Sequence, residues 1–238
     1  MDSDYNIDNE ENKKKPGGGW LTTYADMMTL LFAFFVLLYS MSSPDPVKMS
    51  QIKDAMEKSA GKEGSLKTQN EVKEEFEEII QELKIEKSTN IISDPRGVAI
   101  EMDGDICFGS GSTKIKGILQ TILNEAANKI LINEEDYRMV IIEGHTDSDQ
   151  IPEKLQKIYP TNWELSAARA SNVVNYLIGQ GVNSGRLQAS GYADRWPAEA
   201  SWYDVRSGKI TDKTIQEYNM NEQQKRKNRR IKIVFTNN

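Results

Sequence analysis

The sequence predicts a layered α/β sandwich with a mixed sheet, preceded by a single transmembrane helix and a helical linker. Residues 20–41 form an apolar run long enough to cross a bilayer, since a helix of that length spans about 33 Å. Beyond residue 91, short segments rich in β-branched residues alternate with amphipathic helical segments. This alternation is typical of strands and helices packed in layers.

Length and composition restrict the function classes. The chain has 238 residues, enough for one ordinary domain together with an anchor and a connector. Its net charge of −6 argues against a nucleic-acid binder, because phosphate recognition requires a basic face. The single cysteine, Cys107, excludes an intrachain disulfide and fits no metal cluster, so we expect no metal and no bound cofactor.

The apolar run is interpreted as a membrane anchor. Lys13–Lys15 followed by the run and by Ser40-Met-Ser42 also fits a cleaved signal peptide. The acidic tail before the lysines, the length of the run and the aromatic residues at its ends (Trp20, Tyr24, Tyr39) favour an anchor. The lysines before the run favour a cytoplasmic N-terminus.

Asp26 lies inside this run and has no partner charge there. An acid near the centre of a membrane helix costs about 2.5 to 3.5 kcal/mol, which nine Leu, Phe and Val residues at roughly 0.3 to 0.6 kcal/mol each offset. Asp26 belongs to a stripe of small or weakly polar residues spaced by four and three, which suits helix packing. The stripe comprises Thr22, Asp26, Thr29, Ala33, Val36 and Ser40. We therefore expect a functional carboxyl that faces protein or water.

Five segments follow one another along the chain. Residues 1–19 are expected to be a disordered cytoplasmic tail, and 20–41 the transmembrane helix. Residues 42–64 contain a short amphipathic helix with Met49, Ile52 and Met56 at helical spacing, which fits a membrane surface, a partner or a plain linker equally. Residues 65–90 are predicted as a helical linker marked by Val72, Phe76, Ile79, Ile80 and Leu83, and residues 91–238 as the folded domain.

Within the domain, strands are predicted over 98–102, 139–143 and 186–189 and through the alternating Ile231, Ile233 and Phe235. One helical face contains Ile115, Ile118, Leu119, Ile122, Leu123, Ala126 and Ile130, and another contains Ala170, Val173, Val174, Leu177 and Ile178. Thr161-Asn-Trp-Glu164 predicts a capping box at the start of the second helix, and Gly179 and Gly181 its end. Residues 194–224 are too polar to assign beyond an insertion or a weak helix.

Polar residues gather where a strand meets this second helix. Gly144-His-Thr-Asp147 leaves the strand, and Asn162, Leu165 and Arg169 follow on the helix. Asp147 can accept an ammonium while Arg169 and the helix N-terminal amides take a carboxylate, which together would hold a zwitterion. An Asp147–Arg169 salt bridge that only joins loop to helix explains the same residues equally well.

Two unrelated sets of motifs in one order resemble the MotB family of flagellar motor stator proteins, whose C-terminal part is an OmpA-like peptidoglycan-binding domain. The first is Tyr24-Ala-Asp26 in the apolar run. The second comprises Gly144-His-Thr-Asp147, Asn162-Trp-Glu-Leu-Ser166, Arg169-Ala170, Gly191-Tyr192 and Asn228-Arg-Arg230. The resemblance covers nearly the whole chain beyond the N-terminal tail.

The resemblance implies a homodimeric stator subunit of the cytoplasmic membrane that assembles with MotA, with its C-terminal domain on the cell-wall side. Asp26 would be the ion-carrying residue, with Thr22, Thr29 and Ala33 in the pore or helix packing, and residues 47–60 would be the plug. Asp147 and Arg169 would contact diaminopimelate or the stem peptide of peptidoglycan, with Asn162, Leu165 and Arg229 nearby. Ala33 stands where sodium-driven relatives often carry a more polar residue, which favours protons. The loop from Ser148 to Thr161 is longer than in the simplest OmpA-like pattern.

Two other functions are compatible with the residues. A passive membrane-anchored peptidoglycan tether would need Arg169 but not Asp26. An enzyme built on His145, Asp147 and Asp149 has metal-like spacing, but no second histidine exists in the chain and no activated nucleophile is evident. We therefore expect His145 to be a structural turn residue and the protein not to be an enzyme.

Overall fold

The computed structural model describes residues 19–41, 67–109, 111–133 and 136–237. The chain divides into two compact units; of the elements in the described residues, one helix lies in the first unit and the others lie in the second. Helix α1 spans Gly19–Met41, and Gly19–Tyr39 is long and apolar enough to cross a membrane, with a mean hydropathy of 1.8. The predicted plug helix, with Met49, Ile52 and Met56, lies outside the described residues.

The folded domain contains a five-stranded mixed sheet. Its strands are β1 (Thr89–Asp94), β2 (Gly97–Asp103), β3 (Val140–His145), β4 (Leu187–Gly191) and β5 (Arg230–Thr236), in the spatial order β1-β2-β5-β3-β4. Only β3 and β4 pair in parallel; the other neighbours are antiparallel. All four predicted strands are present, and β1 is an addition that pairs with β2 through a tight turn.

Helices and turns connect these strands. They are α2 (Gln69–Glu82), α3 (Gly104–Cys107), α4 (Gly117–Ala126) with a π-helical turn (Ala127–Leu131), α5 (Glu153–Gln156), α6 (Asn162–Gly179), a 3-10 turn (Ser184–Arg186), α7 (Trp202–Arg206), α8 (Asp212–Glu217) and α9 (Glu222–Asn228). Helix α6 begins with the predicted capping box and connects the parallel pair β3 and β4. The polar region 194–224, which the sequence left unassigned, contains α7, α8 and the start of α9.

The α2 segment differs from its predicted role as a linker. Val72, Phe76, Ile79 and Ile80 are buried in the hydrophobic core together with residues of β2, β3 and β5. Gln69 adds polar contacts, because its Nε2 donates to the Thr236 carbonyl at 3.0 Å and its Oε1 accepts from the Val98 amide at 3.0 Å. The folded domain therefore includes α2 and begins earlier than residue 91.

The two faces of the sheet are both buried but differ in chemistry. Strand β5 places Ile231, Ile233 and Phe235 in the hydrophobic core. Its alternate residues Arg230 and Lys232 lie on the other face, where they are also buried and meet Glu101 and Asp94. Segment 193–200 covers this face, since Arg230 Nη1 donates to the Trp196 carbonyl at 3.2 Å and Lys232 Nζ lies 5.4 Å from the Trp196 ring centroid. The period-2 pattern predicted the strand, but not that its polar face would be enclosed.

Candidate functional site: a cleft between β3 and α6

An open cleft of about 420 Å³ lies where β3 ends and α6 begins. We call it the β3–α6 cleft. All five residues that the sequence assigned to ligand binding in the domain line it: Asp147, Asn162, Leu165, Arg169 and Arg229. Asp105, Glu222, Asp149, Ile151 and Pro152 also contribute to its walls.

Two glycines determine how closely α6 approaches the sheet. Gly144 of β3 and Gly191 of β4 are partners in the parallel register. A Cβ atom at Gly144 would lie 2.1 Å from the Ser166 carbonyl oxygen, and one at Gly191 would lie 2.6 Å from the Ala167 amide nitrogen. Because both obstructing atoms are backbone, only glycine allows this packing. The close contact places the first turns of α6 beside the loop that follows β3.

The N-terminus of α6 is organised by local hydrogen bonds. The Thr161 hydroxyl accepts from the Trp163 amide at 3.2 Å, and the Thr161 amide donates to Glu164 at 2.8 Å. Asn162 then reaches back to the loop after β3, where its Nδ2 donates to the carbonyls of Asp147 (3.2 Å) and Asp149 (3.0 Å). Asn162 thus fixes the backbone on which the Asp147 carboxylate is carried.

The Asp147 carboxylate is paired with Arg229. Its Oδ2 accepts from Arg229 Nη1 at 2.7 Å, and its Oδ1 accepts from the Asp149 amide at 3.2 Å. Arg229 Nη2 also contacts Glu222 at 2.6 Å and Asp105 at 3.4 Å. Burial opposes the charged form of Arg229, but the hydrogen bonds that it donates to these three carboxylates raise its pKa above the ordinary value. Arg229 is therefore already occupied by protein carboxylates.

Arg169 lies in the wall of the cleft and differs from Arg229 in its partners. Only 7% of the residue is exposed. Its Nε donates to the Ser112 carbonyl at 3.1 Å, and its guanidinium carbon lies 5.1 Å from the Phe108 ring centroid. Burial lowers the pKa of Arg169, against the opposing charges of Asp105 and Asp147. Within the described part of the chain, no carboxylate lies at ion-pair distance from it.

The alternative Asp147–Arg169 salt bridge is therefore wrong: the described partner of Asp147 is Arg229. The Arg169 side chain instead contacts the Ser112 carbonyl and the Phe108 ring. The local sequence around Arg169 does not predict this contact, because Ser112 precedes Arg169 by 57 residues.

The long loop after β3 forms one wall of the cleft. Ile151 is buried, and Tyr159 Oη lies 3.1 Å from Thr113 Oγ1. A Cβ atom at Gly111, whose φ is +62°, would lie 2.2 Å from Leu155 Cδ1. The loop of residues 148–161 therefore packs against Gly111 and Thr113 at the side of the cleft.

His145 lies behind the cleft. It is the last residue of β3, is 1% exposed, and stacks on Tyr192 at 5.4 Å between ring centroids. Burial, with the charge of Arg230, lowers its pKa to about 3, so the ring is neutral at pH 7. Within the residues the structure describes, no group of three or more His, Cys, Asp or Glu residues could hold a metal ion.

Two acidic residues that line the cleft, Asp105 and Glu222, were not predicted from the sequence. Glu222 stands seven residues before Arg229, the spacing of two helical turns, and this spacing was a usable signal. Asp105 had no such signal, because its contact with Arg229 spans 124 residues.

In the N-terminal unit, α1 carries the predicted stripe. Thr22, Asp26, Thr29 and Ala33 recur at spacings of four and three and so share one side of the helix. The Thr29 hydroxyl donates to the Asp26 carbonyl at 2.8 Å, which leaves the Asp26 carboxylate outside this bond.

Comparison with known proteins places this architecture in a family. Residues 7–59 match the family described as membrane MotB of the proton-channel complex MotA/MotB, and residues 107–211 match the OmpA family. A protein of Bacillus subtilis named YtxE, described as uncharacterized, is 31% identical over 199 residues, covering 76% of this chain and 80% of its own. Motility protein B of Bacillus subtilis is 28% identical over 222 residues, covering 76% and 83%. This chain belongs to the MotB family.

Solved structures support the MotB fold. A MotB-like protein from Desulfovibrio vulgaris has a TM-score of 0.56 at 20% identity, covering 71% of this chain and 93% of its own. The cell wall anchor of the type VI secretion system from Pseudomonas aeruginosa has a TM-score of 0.51 at 24% identity, covering 68% and 96%. The periplasmic domain of Helicobacter pylori MotB has a TM-score of 0.50 at 21% identity, covering 64% and 82%. Neither matching family is a family of enzymes.

Proposed function

We propose that this MotB-family chain is a stator subunit of the bacterial flagellar motor. With MotA it forms a channel whose ion flow, expected to be of protons, drives rotation, and its folded domain anchors the stator to peptidoglycan. It acts as a homodimer in the cytoplasmic membrane, with its N-terminus in the cytoplasm and its folded domain on the cell-wall side. The observation that carries the proposal is Asp26 within a 23-residue apolar helix that lies inside the MotB match of residues 7–59.

The chemistry of Asp26 suits ion coupling. A carboxyl in a membrane-spanning helix can alternate between an ion-bound and an ionised form as its access to water changes. Each elementary charge that crosses the membrane provides about 2.3 kcal/mol per 100 mV, enough to shift helices between two packed arrangements. The small residues beside Asp26 allow a neighbouring helix to approach the carboxyl closely.

The β3–α6 cleft suits wall attachment. A buried cation without an anion is unfavourable, and a ligand carboxylate would relieve this at Arg169. Asp147 is held in place by Arg229 and is available to an ammonium group on its other side. A diaminopimelate side chain carries both groups, so the stem peptide of peptidoglycan is the ligand that we propose.

The test uses motile cells that carry the chain as their only MotB-family stator subunit. Asp26→Asn is expected to abolish swimming at an unchanged membrane level of the protein, whereas Met28→Leu, on the opposite side of α1, is expected to leave swimming intact. Normal swimming with Asp26→Asn would contradict the ion-coupling role and leave the passive tether as the better account. Arg169→Ala is expected to release the protein from isolated cell walls in either case.

A further inference from the structure

The β3–α6 cleft contains more charged groups than Asp147 and Arg169, the two residues proposed to hold the zwitterionic end of the ligand. Of the described residues that line it, four are carboxylates (Asp105, Asp147, Asp149, Glu222) and two are guanidinium groups (Arg169, Arg229). Lys225 neutralises Asp149, with its Nζ 2.6 Å from the Asp149 carboxylate. Three carboxylates therefore share the single charge of Arg229, while Arg169 has no protein anion at ion-pair distance in the described chain.

Depth separates these charges into two groups. The side chain of Asp147 is 10% exposed and the whole of Arg169 is 7% exposed, so both lie at the floor of the cleft. The side chains of Glu222 and Asp105 are 75% and 53% exposed, so both lie at its mouth. A ligand whose zwitterionic end is bound at the floor must pass the rest of its chain across the two mouth carboxylates.

We propose that Asp105 and Glu222 make the cleft selective for stem peptides whose remaining carboxyl groups are masked as amides. This inference rests on the proposed attachment to peptidoglycan and names the form of the ligand. At the floor, the ligand offers one carboxylate to Arg169 and one ammonium group to Asp147. Any further carboxylate on the ligand meets the excess negative charge of the mouth and is repelled.

The repulsion is of a size that binding experiments can resolve. The mouth carboxylates are exposed, so water weakens their repulsion of a ligand charge, and salt screens it over about 10 Å. One added carboxylate on the ligand is therefore expected to weaken binding by about threefold at low ionic strength. The difference is expected to shrink as salt is added.

The experiment compares two synthetic tripeptides on the full chain in detergent micelles by isothermal titration calorimetry. One is L-Ala-γ-D-Glu-meso-diaminopimelate, and the other carries a carboxamide in place of the free α-carboxyl of its D-Glu residue. Both keep the zwitterionic end of diaminopimelate. The amide form is expected to bind about threefold more tightly at low salt and equally at high salt.

Glu222→Gln is expected to reduce the preference for the amide. Glu74→Gln, which makes the same charge change on α2 away from the residues that line the cleft, is expected to keep it. Equal binding of the two peptides to the unaltered chain at low salt overturns this inference but leaves the proposed wall attachment in place. Binding of neither peptide overturns both the wall attachment and the amide preference. If Glu222→Gln fails to fold, the salt dependence of binding to the unaltered chain still tests the amide preference.

Discussion

Arg229 holds the carboxylate of Asp147 at 2.7 Å across 82 residues of sequence. The pair joins the loop after β3 to the residue that follows α9, and it leaves Arg169 as the cation of the cleft without a protein anion among the described residues. Two arginines that the sequence grouped together thus differ in their contacts: Arg229 pairs with Asp147, whereas Arg169 is the cation that we propose for a ligand carboxylate.

Replacement of Arg229 should therefore weaken ligand binding indirectly. In Arg229→Gln, the carboxylates of Asp147, Asp105 and Glu222 lose their shared cation, and Asp147 loses its fixed orientation. We expect about a tenfold loss of binding to isolated peptidoglycan in a sedimentation assay, consistent with the loss of one charge-assisted hydrogen bond. Arg226→Gln, which removes an exposed cation paired with Asp103, is the matched control. Equal binding by the two variants would argue against a positioning role.

Gly144→Ala should destabilise the domain. The new Cβ atom would lie 2.1 Å from the Ser166 carbonyl oxygen, so α6 would have to move away from β3. We expect a loss of about 2 to 3 kcal/mol in the free energy of unfolding, measured by urea titration with tryptophan fluorescence. Gly179→Ala places its Cβ in open space and should be close to neutral. Similar midpoints for the two variants would contradict the close approach.

Phe76→Ala tests whether α2 belongs to the folded domain. Phe76 is 2% exposed, and its ring centroid lies 4.8 Å from that of Phe235 on β5. Truncation is expected to cost about 3 to 5 kcal/mol in the free energy of unfolding. Glu77→Ala, on the exposed side of the same helix, should change it by less than about 0.5 kcal/mol. An unchanged free energy of unfolding in Phe76→Ala would contradict this expectation and support the prediction that α2 is a linker.

Asp94 should contribute to the loss of stability in acid. Burial acts to raise its pKa, but the hydrogen bonds from Arg96 and the charge of Lys232 prevail and lower it from 3.8 to about 2. A depressed carboxyl pKa contributes stability above pH 3.8, and this contribution disappears as the pH falls from about 4 to about 2. The contribution is about 2 kcal/mol by the usual linkage relation.

The measurement is the free energy of unfolding between pH 2 and pH 5 for the unaltered chain and for Asp94→Asn. The variant is expected to be less stable at pH 5 and to lose less stability on acidification. Asp212→Asn, at a side chain that is 84% exposed, is the control and should follow the unaltered chain. Parallel curves for all three proteins would show that Asp94 does not titrate with folding.

The local elements of this protein were determined by its sequence. The length and apolarity of residues 20–41 were enough to predict α1, since a helix satisfies its own backbone hydrogen bonds. The capping box of Thr161 and Glu164 and the apolar spacing of Val173 and Leu177 were enough to predict α6. The motifs around Asp147 and Arg169 located the cleft, because a strand exit and the following helix N-terminus are neighbours by connectivity.

The partners of these residues were decided only by the tertiary structure. Arg229 rather than Arg169 pairs with Asp147, Asp105 joins them, and Ser112 takes the Nε of Arg169, all across separations of 57 residues or more. The buried polar face of β5 and the place of α2 in the core also escaped the sequence patterns. Periodicity records which side of an element is apolar, whereas the choice of a charged partner depends on how distant segments pack and on which charges they bring together in the folded chain.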